Sequence, residues 1–403
     1  MDWYFYVAVA AILSELLFLY YVFRNYRYAI QKYRKHRSYS PCTVLIVPCK
    51  GVDSDFEKNI ASFFSQDYEN FLLWFVLADS SDPAYEKLNL LKSRLSQSTK
   101  AKDVRILISG NAQSSGQKVH NLLYCYHQLP PNVEVMAFAD SDACIQPNWL
   151  SHIVYPLRNY RYGAAGGYRW FVPKKNNLAS LALSSINAKV AQLLGKSPFN
   201  QAWGGSMAIR VDTFRKIGLD KIWQTAASDD LSLTCAVKKD KLRLAFVPAC
   251  LVASYESCSW PQLFEFARRQ FLITRVYAPA VWSFALFGTL YSILGLWAGL
   301  ALAIYAYVSS ANHFALYAAV PATFLASQIL RAVLRQSMIS KLLKEDWPKL
   351  KPAAAADILA SGLWTILLFF LIVSSAFGRT IVWRGIKYRL QGPADTVVLR
   401  QKE

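Results

Sequence analysis

Long apolar runs near both ends of the chain, separated by a polar central block, set the strongest limit on how this sequence folds. The first run covers residues 3–23 and carries one charged side chain, Glu15. Three later runs are also long enough to cross a bilayer, and they cover residues 278–308, 314–334 and 355–377. Hydrophobic residues make up 54% of the chain, which exceeds the usual share in soluble domains. We therefore predict an integral membrane protein.

Basic residues beside the first apolar run predict how the chain is oriented. The run is preceded by one acidic residue, Asp2, and followed by a basic cluster, so the positive-inside rule places residues 38–275 in the cytosol. The cluster consists of Arg24, Arg27, Lys32, Arg34, Lys35 and Arg37. Because the run lacks a basic start and a small-residue cleavage site, we expect it to be retained as an anchor. The predicted organisation is an anchor with a basic linker (1–37), a cytosolic domain (38–275), and C-terminal membrane or interfacial helices with a basic tail (276–403).

The charges of the C-terminal third conflict with four full crossings of the membrane. Four crossings that start outside leave the C-terminus outside, whereas basic residues near that end favour the cytosolic side. These residues are Arg379, Arg384, Lys387 and Arg389. One apolar run is therefore expected to be re-entrant or to lie at the interface, and the sequence leaves open which run this is.

Charge and cysteine content argue against two other classes of protein. The net charge of +19 would suit a nucleic-acid-binding protein, but the basic residues concentrate beside the apolar runs. Attraction to anionic lipid headgroups explains that placement more simply, so no nucleic-acid partner is expected. The seven cysteines show no CxxC spacing, and we expect buried thiols rather than disulfides or a zinc site.

The polar block alternates between short apolar runs and segments with helical spacing. The predicted strands cover residues 42–48, 71–78, 104–108 and 133–139, and the helices between them cover residues 57–64 and 119–128. Such alternation predicts an α/β domain with a mostly parallel, doubly wound sheet and flanking helices, whose ligands bind beyond the carboxyl ends of the strands. Asp79 and Asp140 directly follow two of these strands, which is where a nucleotide would lie.

Asp140 and Asp142 are the predicted ligands of a divalent metal. Carboxylates suit Mg²⁺ or Mn²⁺, and Mg²⁺ usually takes one or two of them, with phosphates and water completing its shell. Such an ion would neutralise the diphosphate that leaves a nucleotide sugar. A second Asp-x-Asp pair, Asp53 and Asp55, lies in a polar loop before a predicted helix, and we expect helix capping there instead.

Asp229 and Asp230 form a second acidic site at the predicted start of a helix. Two acids there favour the helix dipole, and capping is the alternative interpretation of Asp229. For Asp230 we predict a general base, because an acceptor hydroxyl that attacks an anomeric carbon must lose its proton. In-line displacement of this kind inverts the anomeric centre.

Further candidate residues lie around these acids. Trp203 could stack on a sugar and Gly204 could let backbone approach it, or the segment could be an ordinary loop. Lys118 at a helix start is a candidate phosphate ligand. Arg268 and Arg269 could clamp a diphosphate through bidentate guanidinium contacts, with Arg269 favoured for chemistry, or act as interfacial anchors.

Several motifs in the same order along most of the chain together resemble ceramide glucosyltransferase and its bacterial relatives. These are inverting glycosyltransferases of the GT-A fold, and the resemblance implies a cytosolic catalytic domain, a UDP-sugar donor, a divalent metal and a membrane-lipid acceptor. The motifs are Lys50-Gly51-Val52-Asp53, Phe63-Phe64 before Asp67-Tyr68, Asp82-Pro83-Ala84, Asp140-Ser141-Asp142, Asp229-Asp230 and Trp383-Arg384-Gly385.

The resemblance also implies roles for individual residues. Asp79 or Asp82 would contact the uridine, Asp140 and Asp142 would contact the metal and pyrophosphate, and Asp230 would act as base. The family's last motif, Gln-x-x-Arg-Trp, is altered here. Phe266 and Gln270 replace its glutamine and tryptophan, and its arginine is kept as Arg269.

The sequence therefore predicts a membrane-bound inverting glycosyltransferase that moves a sugar, glucose in the favoured case, from a UDP-sugar to a lipid hydroxyl such as that of ceramide. A processive polysaccharide synthase is one alternative, although it would need more spans and usually an intact Arg-Trp pair. A transporter would place more ionisable residues within its spans. A non-catalytic membrane lipid-binding protein is the third alternative.

Overall fold

The computed structural model describes residues 3–33, 38–383 and 385–401. Asp2, three members of the basic linker (Arg34, Lys35 and Arg37) and Arg384 lie outside the described residues. The strands are β1 (Thr43–Pro48), β2 (Phe71–Leu77), β3 (Asp103–Ile108), β4 (Val135–Ala139), β5 (Tyr162–Pro173), β6 (Ser206–Arg210), β7 (Arg243–Glu256), β8 (Thr380–Trp383), β9 (Ile386–Gly392) and β10 (Asp395–Gln401).

Helices surround the sheet and form the apolar ends of the chain. Those of the polar domain are α2 (Phe56–Phe64), α3 (Pro83–Leu95), α4 (Gln117–His127), α5 (Trp149–Val154), α6 (Leu178–Ala191), α7 (Val211–Lys216), α8 (Leu219–Trp223), α9 (Asp229–Lys239) and α10 (Trp260–Tyr277). Those of the long apolar segments are α1 (Trp3–Tyr33), α11 (Pro279–Ile293), α12 (Gly299–Val308), α13 (Phe314–Leu342), α14 (Trp347–Leu359) and α15 (Ser361–Ser374).

A seven-stranded sheet in the order β3-β2-β1-β4-β6-β5-β7 forms the centre of the polar domain. Strand β6 is antiparallel to β4 and β5, and the other neighbours are parallel. Strands β1, β2 and β4 are almost entirely buried, as expected for parallel strands covered by helices on both faces. The predicted α/β class with a mostly parallel sheet is confirmed.

The four predicted strands and two predicted helices are present, but β5, β6 and β7 were not predicted. Strand β5 begins with the glycine-rich sequence YGAAGG, which lacks the β-branched character of the other strands. Glycine is required at Gly167, because a Cβ there would collide with the carbonyl oxygen of Cys250 on the neighbouring strand. Close backbone approach therefore replaces side-chain packing in this part of the sheet.

Three described helical segments are long and apolar enough to cross a membrane. They are α1, the continuous helix Pro279–Val308 and α13. The fourth predicted run is instead split between α14 and α15, which meet at an angle of 86°. Helix α15 alone, at 1.5 Å per residue, measures about 21 Å, less than the roughly 30 Å of a hydrocarbon core. The last run is thus the one that departs from a straight span.

The predicted basic tail forms a three-stranded antiparallel sheet, β8-β9-β10, against the polar domain. Side chains on the inner face of β9, including Tyr388 and Leu390, share a buried cluster with Leu272 and Tyr277 of α10. Lys387 and Arg389 alternate with them and point outward, as the two-residue period of a strand requires. Strands β8 and β9 therefore pack against the polar domain through α10.

Buried ion pairs connect the apolar helices to one another. Arg331 of α13 lies 2.9 Å from Glu15 of α1. Arg335 donates to both carboxylate oxygens of Asp357 in α14, at 2.6 and 2.5 Å. Arg335 also contacts Gln192, which follows α6 of the polar domain. Removing either partner of such a pair would leave a buried charge, so these contacts specify how the helices meet.

Candidate active site

Loops at the carboxyl edge of the large sheet bring the predicted acidic residues together. Asp79 follows β2 and Asp140 follows β4, and parallel strands end at the same edge. Strand β6 runs the opposite way, with Ser206 paired to Ala139, so the loop before it lies beside Asp140. The alternation of strand directions explains how residues far apart in sequence reach one cleft.

Lys118, in the first turn of α4, bridges the two acidic sites. Its Nζ lies 2.6 Å from Oδ1 of Asp140 and 3.0 Å from Oδ2 of Asp229. Burial alone would lower the pKa of Lys118, but the two carboxylates raise it overall. Burial raises the pKa of Asp229 to about 6, against the opposing effect of Lys118. The bridge thus fixes the end of β4 relative to the start of α9.

Asp230 faces the cleft from the first turn of α9. Its Oδ1 accepts hydrogen bonds from the Ser228 hydroxyl at 2.5 Å and the Leu231 amide at 2.7 Å, and its Oδ2 accepts from the Gly204 amide at 3.1 Å. Ser228 occupies the N-cap position and accepts from the Leu231 amide. Ser228 therefore caps the helix in place of Asp229, which is buried and paired with Lys118, while Asp230 lines the cleft.

The loop Trp203-Gly204-Gly205 packs directly against the acids. A Cβ at Gly204 would overlap the Asp229 carboxylate and lie 2.5 Å from Lys118 Nζ. The Trp203 ring lies 4.8 Å from the Arg169 guanidinium. The absence of a side chain at Gly204 therefore lets the backbone lie against the Lys118–Asp229 pair.

The larger, polar part of the cleft has a volume of about 510 Å³, and we call it the donor lobe. Asp82 caps α3 through the Ala84 amide and also accepts from the Gly51 amide, whereas exposed Asp79 accepts from Ser81. The donor lobe is lined by Pro48, Cys49, Lys50, Ala78, Asp79, Ser81, Asp82, Asn111, Gly116, Gln117, Lys118, Asn121, Asp140, Ser141, Asp142, Arg169, Glu256, Phe266, Arg269, Gln270, Trp383, Gly385, Ile386 and Tyr388.

A second cavity of about 250 Å³, which we call the apolar lobe, opens beside the first. It contains Asp229 and Asp230, and its far wall is formed by side chains such as Leu183, Ile186 and Phe271. Residues lining both lobes show that the two form one cleft; they are Lys118, Asp140, Arg169, Phe266, Arg269, Gln270 and Trp383.

The apolar lobe also holds buried polar atoms without protein partners. Asn187 and Gln201 both line this cavity. Within the described part of the chain, the Oδ1 atom of Asn187 accepts no hydrogen bond and the Nε2 atom of Gln201 donates none. Buried polar groups are normally hydrogen-bonded, so these two atoms are free to bond to water or to another group that enters the cavity. The apolar lobe therefore combines a hydrocarbon-like wall with a few polar contacts.

The two predicted arginines lie in different places. Arg269 lines both lobes and donates to the Val382 carbonyl at 3.2 Å. Arg268 instead donates to the carbonyls of Ser374 and Phe377, at the C-terminal end of α15. Arg268 is thus outside the cleft, and its contacts are those of a helix-end cation.

Sequence reasoning missed several lining residues. Arg169 lies within β5 and is 3.7 Å from Asp140, and Glu256 ends β7. Tyr388 reaches the donor lobe from the C-terminal sheet, where its hydroxyl accepts from the Gln117 amide at 3.5 Å. None of these residues stands in a chemically suggestive pair, so only the three-dimensional arrangement identifies them.

The residues in the donor lobe fit a hydrated divalent ion. No group of three or more His, Cys, Asp and Glu side chains able to hold a metal occurs within residues 3–33, 38–383 and 385–401. Asp140 and Asp142 nevertheless line the donor lobe together. One or two carboxylates, supplemented by phosphate oxygens and water, are what Mg²⁺ usually binds. The pair therefore suits an ion that arrives with a phosphorylated ligand.

Comparison with known proteins identifies the family. The sequence model for glycosyl transferase family 21 matches residues 4–394. Among solved structures, the mannosyltransferase PcManGT from Pyrobaculum calidifontis in complex with GDP-Man and Mn2+ is similar with 13% identity and a TM-score of 0.46, covering 93% of this chain and 97% of that one. GalNAc-T7 with UDP, GalNAc and Mn2+ is similar over 59% of this chain and 51% of that one, with 10% identity and a TM-score of 0.39.

The tight packing at Gly204 gives a first prediction. Gly204→Ala should destabilise the protein by about 1–3 kcal/mol, because the added methyl group overlaps the Lys118–Asp229 pair. A lower thermal midpoint in detergent would report this. Gly288→Ala is the control, since a Cβ there meets nothing within 4 Å in helix α11. Equal midpoints for the two variants would contradict the assigned packing.

Proposed function

The chain belongs to glycosyl transferase family 21, and on this basis we propose that it moves a sugar from a UDP-sugar to the hydroxyl of a membrane lipid. Glucose is the proposed sugar and ceramide the proposed type of acceptor. The observation that carries the proposal is the cleft itself: a charged lobe and an apolar lobe share one wall, and Asp230 lies in the apolar lobe near that wall.

The donor lobe has the chemistry that a nucleotide diphosphate sugar needs. Exposed Asp79 at its edge is the proposed contact to the uridine, and Asp82 supports the adjacent loop through Gly51. Lys118, Arg169 and Arg269 supply positive charge where the pyrophosphate would lie. Arginine suits this task because its guanidinium matches phosphate oxygens in bidentate fashion.

Asp140 and Asp142 are the proposed ligands of Mg²⁺ or Mn²⁺. The ion supplies electrostatic stabilisation of the diphosphate as it leaves. Lys118 holds Oδ1 of Asp140 at 2.6 Å, so the carboxylate is oriented before any ligand arrives. Preorganised charge of this kind costs little reorganisation during the reaction.

The apolar lobe suits the acceptor. Its wall of leucine, isoleucine and phenylalanine side chains matches hydrocarbon tails, and Val281 of α11 continues it toward the apolar helices. Asn187 and Gln201 offer an acceptor and a donor to a polar headgroup. Lateral entry from the bilayer would keep the tails in lipid while only the headgroup reaches Asp230.

In the proposed reaction, Asp230 takes the proton of the lipid hydroxyl. The lipid oxygen then forms a bond to the anomeric carbon, and the bond from that carbon to the diphosphate oxygen breaks, so UDP leaves with the electron pair. Hydrogen bonds from Ser228 and Gly204 hold Asp230 in place for this step. Attack from the side opposite the leaving group inverts the anomeric centre. Asp229 is proposed to position Lys118.

The proposed orientation places the catalytic domain in the cytosol. The C-terminal sheet contacts α10, so residues 38–277 and strands β8, β9 and β10 lie on the same side of any membrane. Two straight spans, Pro279–Val308 and α13, satisfy that requirement if the bent pair α14–α15 enters and leaves on one side. This arrangement also puts the basic residues Arg379, Lys387 and Arg389 inside, in agreement with the positive-inside rule.

A substrate panel tests the proposed specificity. Purified full-length protein is incubated with UDP-glucose, UDP-galactose or UDP-N-acetylglucosamine, together with ceramide or extracted lipids, and products are identified by mass. We expect one hexose added to ceramide from UDP-glucose. Long polymers would favour the polysaccharide synthase, and the absence of any transfer despite UDP binding would favour the non-catalytic alternative.

Asp230→Asn tests the base. We expect transfer to fall by about a hundredfold or more, since general bases contribute roughly 10²–10⁴ in rate, while UDP binding stays nearly unchanged. The control is Asp240→Asn, at the far end of the same helix, where the carboxylate pairs with Lys216 at the surface. Loss of both transfer and binding in the Asp230 variant would point to a structural role instead.

Asp142→Ala tests the metal site. UDP binding should weaken in Mn²⁺ and become nearly the same with and without the ion, because a ligand is lost. Binding is measured by calorimetry with and without chelator. Asp55→Ala removes a carboxylate of the other Asp-x-Asp pair, which contacts Lys174 outside the cleft, and should leave metal dependence intact. Unchanged metal dependence in the Asp142 variant would count against its assignment.

A further inference from the structure

We propose that a basic pocket behind the C-terminal sheet binds the phosphate group of an anionic membrane lipid. The pocket has a volume of about 990 Å³ and lies outside both lobes of the cleft. Its lining includes four cationic side chains, which are Arg275, Arg379, Lys387 and Arg389. The site is additional to the proposed donor and acceptor sites and does not depend on sugar transfer.

The pocket is built from three separate segments. Arg275 comes from the last turn of α10, Arg379 follows the turn after α15, and Lys387 and Arg389 project from the outer face of β9. Gly378 makes the turn with a φ of +78°, a conformation that favours glycine. The turn brings the end of an apolar helix, the end of α10 and the sheet to one place.

Arg275 and Arg379 are held in place by main-chain carbonyls. Arg275 donates to the carbonyls of Ala376 and Gly378. Arg379 donates to the Gln391 carbonyl at 2.7 Å. These bonds fix the guanidinium groups but leave their charges uncompensated. Two of the four cations are thus oriented by the main chain, and Lys387 and Arg389 are exposed beside them.

The positive charge of the pocket is not balanced within the described part of the chain. The ion pairs found there involve none of the four cationic side chains. Burial lowers the pKa of Arg275, and repulsion from Arg379 and Arg268 lowers it further. An anion in the pocket would relieve this repulsion, and a phosphate oxygen suits both arginine and lysine.

The position of the pocket favours a lipid as the source of the phosphate. Phe377, at the end of α15, and Leu399 both line it, and they are 73% and 44% exposed. Val276 lies just before the apolar helix that begins at Pro279. Apolar side chains beside a cluster of cations match a headgroup with attached tails, and clusters of this kind next to membrane helices bind anionic lipids.

The pocket also lies directly behind residues that support the cleft. On the inner face of β9, Tyr388 contacts the start of α4, which carries Lys118. Tyr277, in the same buried cluster, accepts hydrogen bonds from the Ala227 and Ser228 amides just before Asp229. A bound headgroup would stabilise the sheet against the domain, and such binding raises the thermal midpoint by mass action.

Binding of a fluorescent lipid tests the proposal. Full-length protein in detergent is titrated with NBD-labelled phosphatidylglycerol, and anisotropy is recorded in the absence of sugar donor and acceptor. The double variant Lys387→Gln/Arg389→Gln should bind about thirtyfold more weakly, since each basic residue near an anionic surface contributes roughly a factor of five. Both side chains are exposed, so the substitutions should leave the fold intact.

Matched controls distinguish binding at this pocket from general attraction to the positive charge of the protein. Lys87→Gln/Lys221→Gln removes two exposed cations on α3 and α8, away from the pocket, and should change affinity by less than about twofold. Arg389→Lys keeps the charge and should retain most of the binding. Phosphatidylglycerol should also raise the thermal midpoint of the unmodified protein but not that of the pocket variant.

Three outcomes would overturn the proposal. Equal loss of affinity in both double variants would indicate diffuse surface charge. Equally tight binding of NBD-labelled phosphatidylcholine would indicate an apolar contact only. Displacement of the lipid by inorganic phosphate at concentrations similar to that of unlabelled phosphatidylglycerol would assign the pocket to a soluble anion.

Discussion

The buried bridge from Lys118 to Asp140 and Asp229 is the interaction on which the rest of the cleft depends. It joins the end of β4 to the start of α9, and Asp229 lies 89 positions after Asp140 in the sequence. Removing one cation and two carboxylates from water costs free energy. Hydrophobic residues of similar volume in their place would often give an equally stable protein. A strictly structural core has little reason to keep such a cluster. The proposed function supplies a reason, because a carboxylate would then have to be oriented for a phosphorylated ligand.

A second set of buried charges determines how this cleft meets the apolar helices. Arg335 joins α13 to Asp357 in α14 and to Gln192 beside the polar domain, while Arg331 joins α13 to Glu15 in α1. Charges are costly in an apolar setting unless they are paired, so alternative arrangements of these helices would leave them unpaired. The same contacts therefore connect the polar domain to the apolar helices, on the side from which we propose that a lipid acceptor enters.

The sequence predicted those parts of the fold that have a clear local pattern of residues. Continuous apolar runs identified β1, β2 and β4, and their ends located Asp79 and Asp140 at one edge. Strand β5 was not predicted because it is rich in glycine, and Gly167 is required by its close contact with Cys250, which is distant in sequence. Tertiary packing also determines two further features. These are the bend between α14 and α15 and the packing of the C-terminal sheet on α10. Arg268 and Arg269 are adjacent in sequence, yet helix geometry points one at α15 and the other into the cleft.

The junction between the two lobes shows why segments far apart in sequence are needed around one small group of acids. If the acceptor is a lipid hydroxyl, as we propose, water in the donor lobe would compete with it for the same sugar, so apolar surroundings of Asp230 would favour the lipid. Helices α6 and α10 supply such an apolar wall on one side. On the other side Trp383 and Tyr388 close the donor lobe from the C-terminal sheet. Because this sheet packs on α10, which leads into the next apolar helix, the wall of the charged lobe and the apolar helices are connected through α10.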